Sequence, residues 1–179
     1  MSERNTLARS LHDVGLAAWF GGSLMGAIGL NGAAAEARDP RERLELSSAG
    51  WGRWAPVNAL AIGAHAVGGI ILLEGNKARL AKQPEVQANT TVKTAVTLAA
   101  MLATAYSGVL GAKVAKHADE GGAGATEPRP GASRKLKKAQ RRLRLTQWAI
   151  PALTGTIVVL SAQQGEQQRP VAGVLRGLR

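Results

Sequence analysis

The chain has 179 residues and no cysteine, and its 23 Lys and Arg against 12 Asp and Glu give a formal net charge of +11. This length allows one domain or one small bundle. The lack of cysteine excludes disulfide scaffolds, cysteine zinc sites, iron–sulfur clusters and thiol catalysis. A mean hydropathy of -0.05 would suit a soluble basic protein, but the charges and the apolar residues occupy separate blocks.

The first apolar block, Val14 to Ala35, carries no charge and one strongly polar residue, Asn31. The second, Ala55 to Leu73, is interrupted only by Asn58 and His65, and the third, Thr94 to Ala112, is again uncharged. The fourth, Gln147 to Ala162, is the shortest. Blocks one to three reach the roughly 17–25 residues that a membrane span needs, and block four does so with Thr146 and Gln163 or Gln164 included. Unpaired backbone groups are too costly in lipid for open strands, so all four are expected to be helices. A soluble Ala/Gly-rich bundle is the alternative. It should show a charged face at helical spacing, and these blocks show none. The expected fold class is therefore all-α, an integral membrane four-helix bundle with spans near 14–35, 55–73, 94–112 and 147–163. A second alternative makes block one a cleaved signal peptide, with Arg4 and Arg9 as its basic region and Ala33–Ala35 as the cleavage site. Its length and glycine content argue against this.

Block one places Gly15, Ala18, Gly22, Gly26, Gly29 and Ala33 at steps of three or four, so all six are expected on one packing face. Block three repeats small residues at Ala95, Ala99, Ala103, Ser107 and Gly111. Such stripes let helix backbones approach closely in lipid. The partner, another helix of this chain, a second copy or another membrane protein, is left open. Pro56 and Pro151 are expected near helix starts, where a missing N–H costs little.

With four spans, loops one and three share one side. That side holds 14 basic residues: Arg38, Arg41, Arg43 and Arg53 in loop one, and Lys113, Lys116, Arg129, Arg134, Lys135, Lys137, Lys138, Arg141, Arg142 and Arg144 in loop three. The other side holds nine: Arg4, Arg9, Lys77, Arg79, Lys82, Lys93, Arg169, Arg176 and Arg179. The positive-inside rule then places loops one and three in the cytoplasm and both termini outside, in a plasma membrane. Trp51, Trp54 and Trp148 would sit at the cytoplasmic interface and Trp19 nearer the outer one. Loop three, 113–146, divides into a Gly/Pro-rich part, Asp119 to Ala132, expected to be flexible, and a cationic helix from Ser133, a suitable N-cap, to Thr146. Leu136, Ala139 and Leu143 share one face of that helix. Its basic residues Arg134, Lys135, Lys137, Lys138, Arg141, Arg142 and Arg144 suit anionic lipid headgroups, each at about 1 kcal/mol near the surface. Nucleic acid is disfavoured, because the only Phe and Tyr, Phe20 and Tyr106, lie in apolar blocks and offer no base-stacking platform.

His65 is the one ionisable residue deep in a block, and such residues are functional candidates in a membrane. With His12 and Asp13 just before block one it forms a candidate polar site, Glu74 lying on the same side. The helical rise puts His12 roughly 10–15 Å from His65 along the membrane normal, too far for a shared metal or haem. No metal and no cofactor is expected. Asn31, Asn58, Thr97, Thr104, Tyr106 and Ser107 could line a polar seam between helices. No nucleotide-binding glycine loop, Ser–His–Asp set or carboxylate pair is present, so no enzymatic activity is expected.

Two stretches carry resemblances. His12 to Gly22, HDVGLAAWFGG, resembles the opening helix of copper-resistance D-like membrane proteins. That family has more spans, so copper handling through His65 and His12 enters as an alternative. Gln147 to Pro170, QWAIPALTGTIVVLSAQQGEQQRP, resembles the C-terminal region of uncharacterised small multi-pass membrane proteins of high-GC actinobacteria, as does GATEPRP, Gly124 to Pro130. This second resemblance implies a multi-pass membrane protein and brings no activity with it. The expectation is a structural or accessory membrane protein. The alternatives are a small transporter or metal-handling protein, or a peripheral basic lipid- or nucleic-acid-binding protein.

Overall fold

The computed structural model describes residues 6–77 and 84–167. Arg4, Arg79, Lys82, Arg169, Arg176, Arg179 and the end of the Gln147–Pro170 stretch lie outside the described residues. Those described are helices and connections, with no strand among them. Helix α1, Thr6–Met25, passes through a π-helical turn, Gly26–Leu30, into α2, Asn31–Ala35. Helix α3 is Pro40–Gly75, α4 is Pro84–Ala115 and α5 is Arg134–Gln167. All four rods are long and apolar enough to cross a membrane.

The rods begin and end earlier or later than the apolar blocks that seeded them. Asp39 caps α3 by accepting the Arg41 backbone N–H at 2.8 Å, with Pro40 in the first turn. Loop one thus shrinks to 36–39. Pro56 and Pro151 are correspondingly not helix starts but lie well inside α3 and α5. Chain polarity at 40–54 and 134–146 does not stop a helix. It marks the end of the apolar stretch, not the end of the helix. At about 1.5 Å per residue the 36 residues of α3 span about 54 Å, well beyond a hydrocarbon core of about 30 Å.

The rods alternate in direction and pack as two antiparallel hairpins, α1 with α3 and α4 with α5. Contacts between α1 and α5 join the hairpins, while α3 and α4 meet only sparsely. Leu16, Trp19, Ala100, Ile150 and Ile157 form the core at this junction. Trp19 is fully buried there, not in an interfacial belt, and its indole N–H donates to Thr104 Oγ1 at 3.1 Å.

Block one packs as expected only as far as the π turn. Gly15 and Gly26 are buried and Ala18 and Gly22 half-buried, but Gly29 and Ala33 are exposed. The π turn carries an extra residue, which rotates everything after it relative to the α-helical phase. Leu30 and Ala34 therefore take the inward positions, Leu30 lying over Gly50 and Ala34 fully covered. In α4 the stripe also fails at one end, since Ala95 and Ala99 are exposed while Ala100, Leu110 and Val114 are buried. Steps of strictly four drift by about 40° each on a 3.6-residue helix, so five such positions cannot share one face.

The basic end has its own core. Leu136, Ala139 and Leu143 of α5 pack with Leu44, Leu110, Val114 and Ala132. The 119–132 segment, expected to be flexible, follows a path with many attachments. Gln140, fully buried, donates from Nε2 to the carbonyls of Gly124, Ala125 and Glu127 at 3.1–3.4 Å. Gly122 donates its N–H to Pro40, and Arg43 donates to Ala37 and Ala123. Gly121, at φ 69°, lies directly over Pro40 where a side chain would collide. Ser133 caps α5 through the Leu136 N–H and donates its own N–H to Glu120 at 2.6 Å.

Two predictions follow from this packing. A Cβ on Gly15 would run into the Ala61 carbonyl, whereas Gly21 faces open space. Gly15→Ala should cost about 1–3 kcal/mol in reversible unfolding, and Gly21→Ala should be neutral or stabilising by up to about 1 kcal/mol. The Ser133 N–H, above all, holds the Glu120 carboxyl below its usual value of 4.5. Because the folded value is the depressed one, this attachment is fully present above about 4.5 and is lost as pH falls through the folded value. The Ser133 amide resonance should therefore titrate below 4.5, and Glu120→Gln should abolish that titration.

Candidate functional site

The site begins with a close approach of two backbones. A Cβ on Gly15 would strike Ala61 and His65 of α3, and one on Gly68 would strike Ala8 and His12 of α1. The two sets are related by a short internal repeat, Ala-x3-His-x-Val-Gly, at Ala8–Gly15 and again at Ala61–Gly68. The repeats run antiparallel and meet at their histidines, giving the pair a local two-fold relation. Val14 and Val67 point outward in both.

His12 Nδ1 lies 3.0 Å from the His65 carbonyl, and His65 Nδ1 lies 3.0 Å from the His12 carbonyl. A carbonyl can only accept, so each Nδ1 carries the proton and each Nε2 keeps its lone pair. The rings stack with centroids 4.0 Å apart and 19° between planes. Trp19 meets His65 edge-on at 6.1 Å. Both histidines are almost fully buried. The expected 10–15 Å between them is thus corrected. His12 lies one and a half turns inside α1, not before it, and the antiparallel packing brings His65 to the same level.

Lys93 of α4 completes the cluster, donating from Nζ to His12 Nε2 at 3.3 Å. Arg9 and Asp13 act electrostatically on the same ammonium. Beside this cluster the splayed α3 and α4 leave a cleft of about 610 Å³, roofed by α1 and α5. His12, Asp13 and His65 all border it, with Arg9, Lys93, Asn76 and Thr90 at the polar end and Leu16, Ile70, Leu98, Met101 and Val158 along its walls. Lys93 and the repeat were not singled out from the sequence. The repeat was visible there, but only the hairpin geometry gives its two copies a reason to meet.

The other predicted polar residues fall elsewhere. Asn31 is a junction of three elements: it donates to Gln147 at 2.7 Å and accepts from Trp51 Nε1 at 2.9 Å and Ser47 at 3.3 Å. Trp51 and Trp54 accordingly lie against Gly26 and Gly22. Thr97 borders the cleft, and Tyr106 accepts from Arg142 at 3.1 Å. Asn58 Oδ1 is buried without a partner, and Ser107 is half-buried. Glu74 is exposed and pairs with Lys77.

Of the cationic residues, Arg134, Lys137, Lys138, Arg141 and Arg142 surround one shallow depression on α5. Lys135 is exposed outside it, and Arg144 lies 4.0 Å from Glu127.

A metal finds a poor donor set at the histidines. Both Nδ1 atoms are committed to carbonyls, and His12 Nε2 already faces an ammonium. No group of three or more His, Asp or Glu suited to a metal occurs among the described residues.

Comparison of the chain with protein-family models, with curated proteins and with solved structures finds no match in any of the three.

His12→Phe keeps a ring for stacking but removes the Nδ1–H donor, so the His65 carbonyl loses its inter-helix hydrogen bond. It should lower unfolding stability by about 1–3 kcal/mol. Thr91→Ala, at an exposed position on α4, should stay within about 0.5 kcal/mol of the wild type in the same assay.

Proposed function

We propose that the protein is a four-span integral membrane protein of the plasma membrane with a structural or accessory, non-enzymatic role. Its basic end, with the 36–39 and 116–133 connections, faces the cytoplasm. The observation that carries this reading is the distribution of apolar surface. Leu60, Leu102, Val109 and Val159 point away from the bundle, while Asn31, His12, His65, Thr104 and Thr154 are bonded within it. In water such an outward array would be an aggregation hazard. In lipid it is the expected face.

The cytoplasmic orientation draws on the Lys and Arg of the helix extensions at 40–54 and 134–146, the α5 depression included. Five cations on one exposed helix face, just beyond the apolar part of α5, would hold anionic headgroups there. A carrier role is the second reading, favoured by the cleft at the opposite end. Its metal-handling form is the weaker one, because a metal cation at His12 would meet the Lys93 ammonium.

Alkaline carbonate washing should leave the protein in the membrane pellet, and release into the supernatant would overturn the four-span reading. The cysteine-free chain is a clean background for topology. An impermeant maleimide applied to intact cells should label Asn76→Cys and spare Gly131→Cys. The reverse pattern would invert the orientation.

A further inference from the structure

We infer that the cleft between α3 and α4 binds a neutral lipid alcohol, a single hydrocarbon chain whose hydroxyl donates its proton to His65 Nε2. This rests on the membrane reading above, since such a ligand partitions into lipid and reaches the cleft from there.

Two unfilled hydrogen-bonding positions border the cleft. His65 is 2% exposed and lines it. Its Nδ1 carries the proton that goes to the His12 carbonyl, so Nε2 is left with a lone pair. That lone pair has no hydrogen-bond partner among the described residues. His12 differs, because its Nε2 faces the Lys93 ammonium. The local two-fold relation of the histidines is thus broken at one atom, on the α3 side. Ser161 of α5 borders the same cleft, and its Oγ is buried without a partner. Thr94 and Thr97, also in the lining, show the ordinary alternative for a helical hydroxyl. Each donates to the carbonyl four residues earlier, at 2.9 and 2.8 Å.

These positions select the head of the ligand. His65 Nε2 accepts, and the Ser161 hydroxyl can donate. A hydroxyl is the smallest neutral group that does both. An ether or a carboxylate has no proton for His65. Arg9 and Lys93 already have partners, so recognition is left to the two uncharged groups. The walls select the rest. Leu16, Ile70, Leu98 and Met101 offer contact to a hydrocarbon chain. The volume of about 610 Å³ is within the range of about 300–1,000 Å³ typical of small-molecule sites.

The test uses the full chain in phosphatidylcholine nanodiscs, whose lipids bear no hydroxyl, with tritiated dodecanol as the probe and empty nanodiscs as the background. Saturable binding is expected at pH 8, with displacement by unlabelled dodecanol at least tenfold better than by dodecyl methyl ether or laurate. His65→Asn keeps an amide donor at the position of Nδ1 and removes Nε2. It should weaken probe binding about tenfold, the loss of one hydrogen bond. Ala66→Phe, which fills the cleft from α3, should abolish binding. In the wild-type protein labelled with 15N-histidine, dodecanol should shift the His65 Nε2 resonance and leave His117 unchanged. That measurement keeps the proposal testable if His65→Asn lowers the yield of folded protein. Farnesol as a competitor identifies the chain: tighter binding than dodecanol assigns an isoprenoid alcohol, and weaker binding a straight-chain one. Methyl ether or laurate equal to dodecanol, full binding by Ala66→Phe, or an unmoved His65 Nε2 resonance would overturn the proposal. Carbonate release would instead overturn the membrane reading, so the two fail separately.

Discussion

Helices in lipid gain little from hiding apolar side chains, because the acyl chains around them are equally apolar. They need contact close enough for dispersion and for polar bonds between backbones and side chains. On the proposed membrane reading, that need is met where α1 crosses α3. Gly15 and Gly68 remove the side chains that would hold the two backbones apart. Only at that separation can each imidazole reach the other helix's carbonyl, and only in that arrangement do the rings stack. The glycines and the histidines are therefore one device. The glycines set the distance, and the histidines convert it into two buried hydrogen bonds in a medium where an unmade bond is costly.

Much of the remaining architecture follows. With α1 and α3 locked as one unit and α4 and α5 as another, the two units meet through α1 and α5 around Trp19 and Ile157. The far sides, α3 and α4, are left apart, and the cleft is that separation. Its polar end lies beside the clamp because the same histidine that bonds α3 also receives Lys93 from α4. His12 thus ties α1 to both α3 and α4.

The opposite end is charged on its outside and holds a separate core. Charged helix extensions at 40–54 and 134–146 bury a small aliphatic core of their own and cover it with the 119–132 segment. Gln140 shows why glycine and proline content alone did not indicate mobility there. One buried amide collects three loop carbonyls, and glycine at 121 and 122 permits an approach to Pro40 and Leu44 that larger residues would block. Between the two ends the π turn re-aims the chain, bringing Asn31 into reach of Gln147, Trp51 and Ser47.

What the sequence by itself determined was segregation. Apolar blocks of about twenty residues give helices long enough to cross a membrane, and the face Leu136, Ala139, Leu143 marks the buried side of α5 because helical periodicity is a local property. Helix ends were legible where a cap is local, as at Ser133, and illegible where polarity merely marks the edge of an apolar block, as at Pro56. Gly15 and Gly22 could be assigned to a packing face, but Gly29 and Ala33 could not, because a π turn depends on what the chain meets, not on its own residues. Tertiary structure alone decided which helices are partners. His12 and His65 are 53 positions apart, and no spacing rule relates residues on different rods. Their meeting depends on the level at which two antiparallel helices cross, and that level is set by small residues on both helices at once.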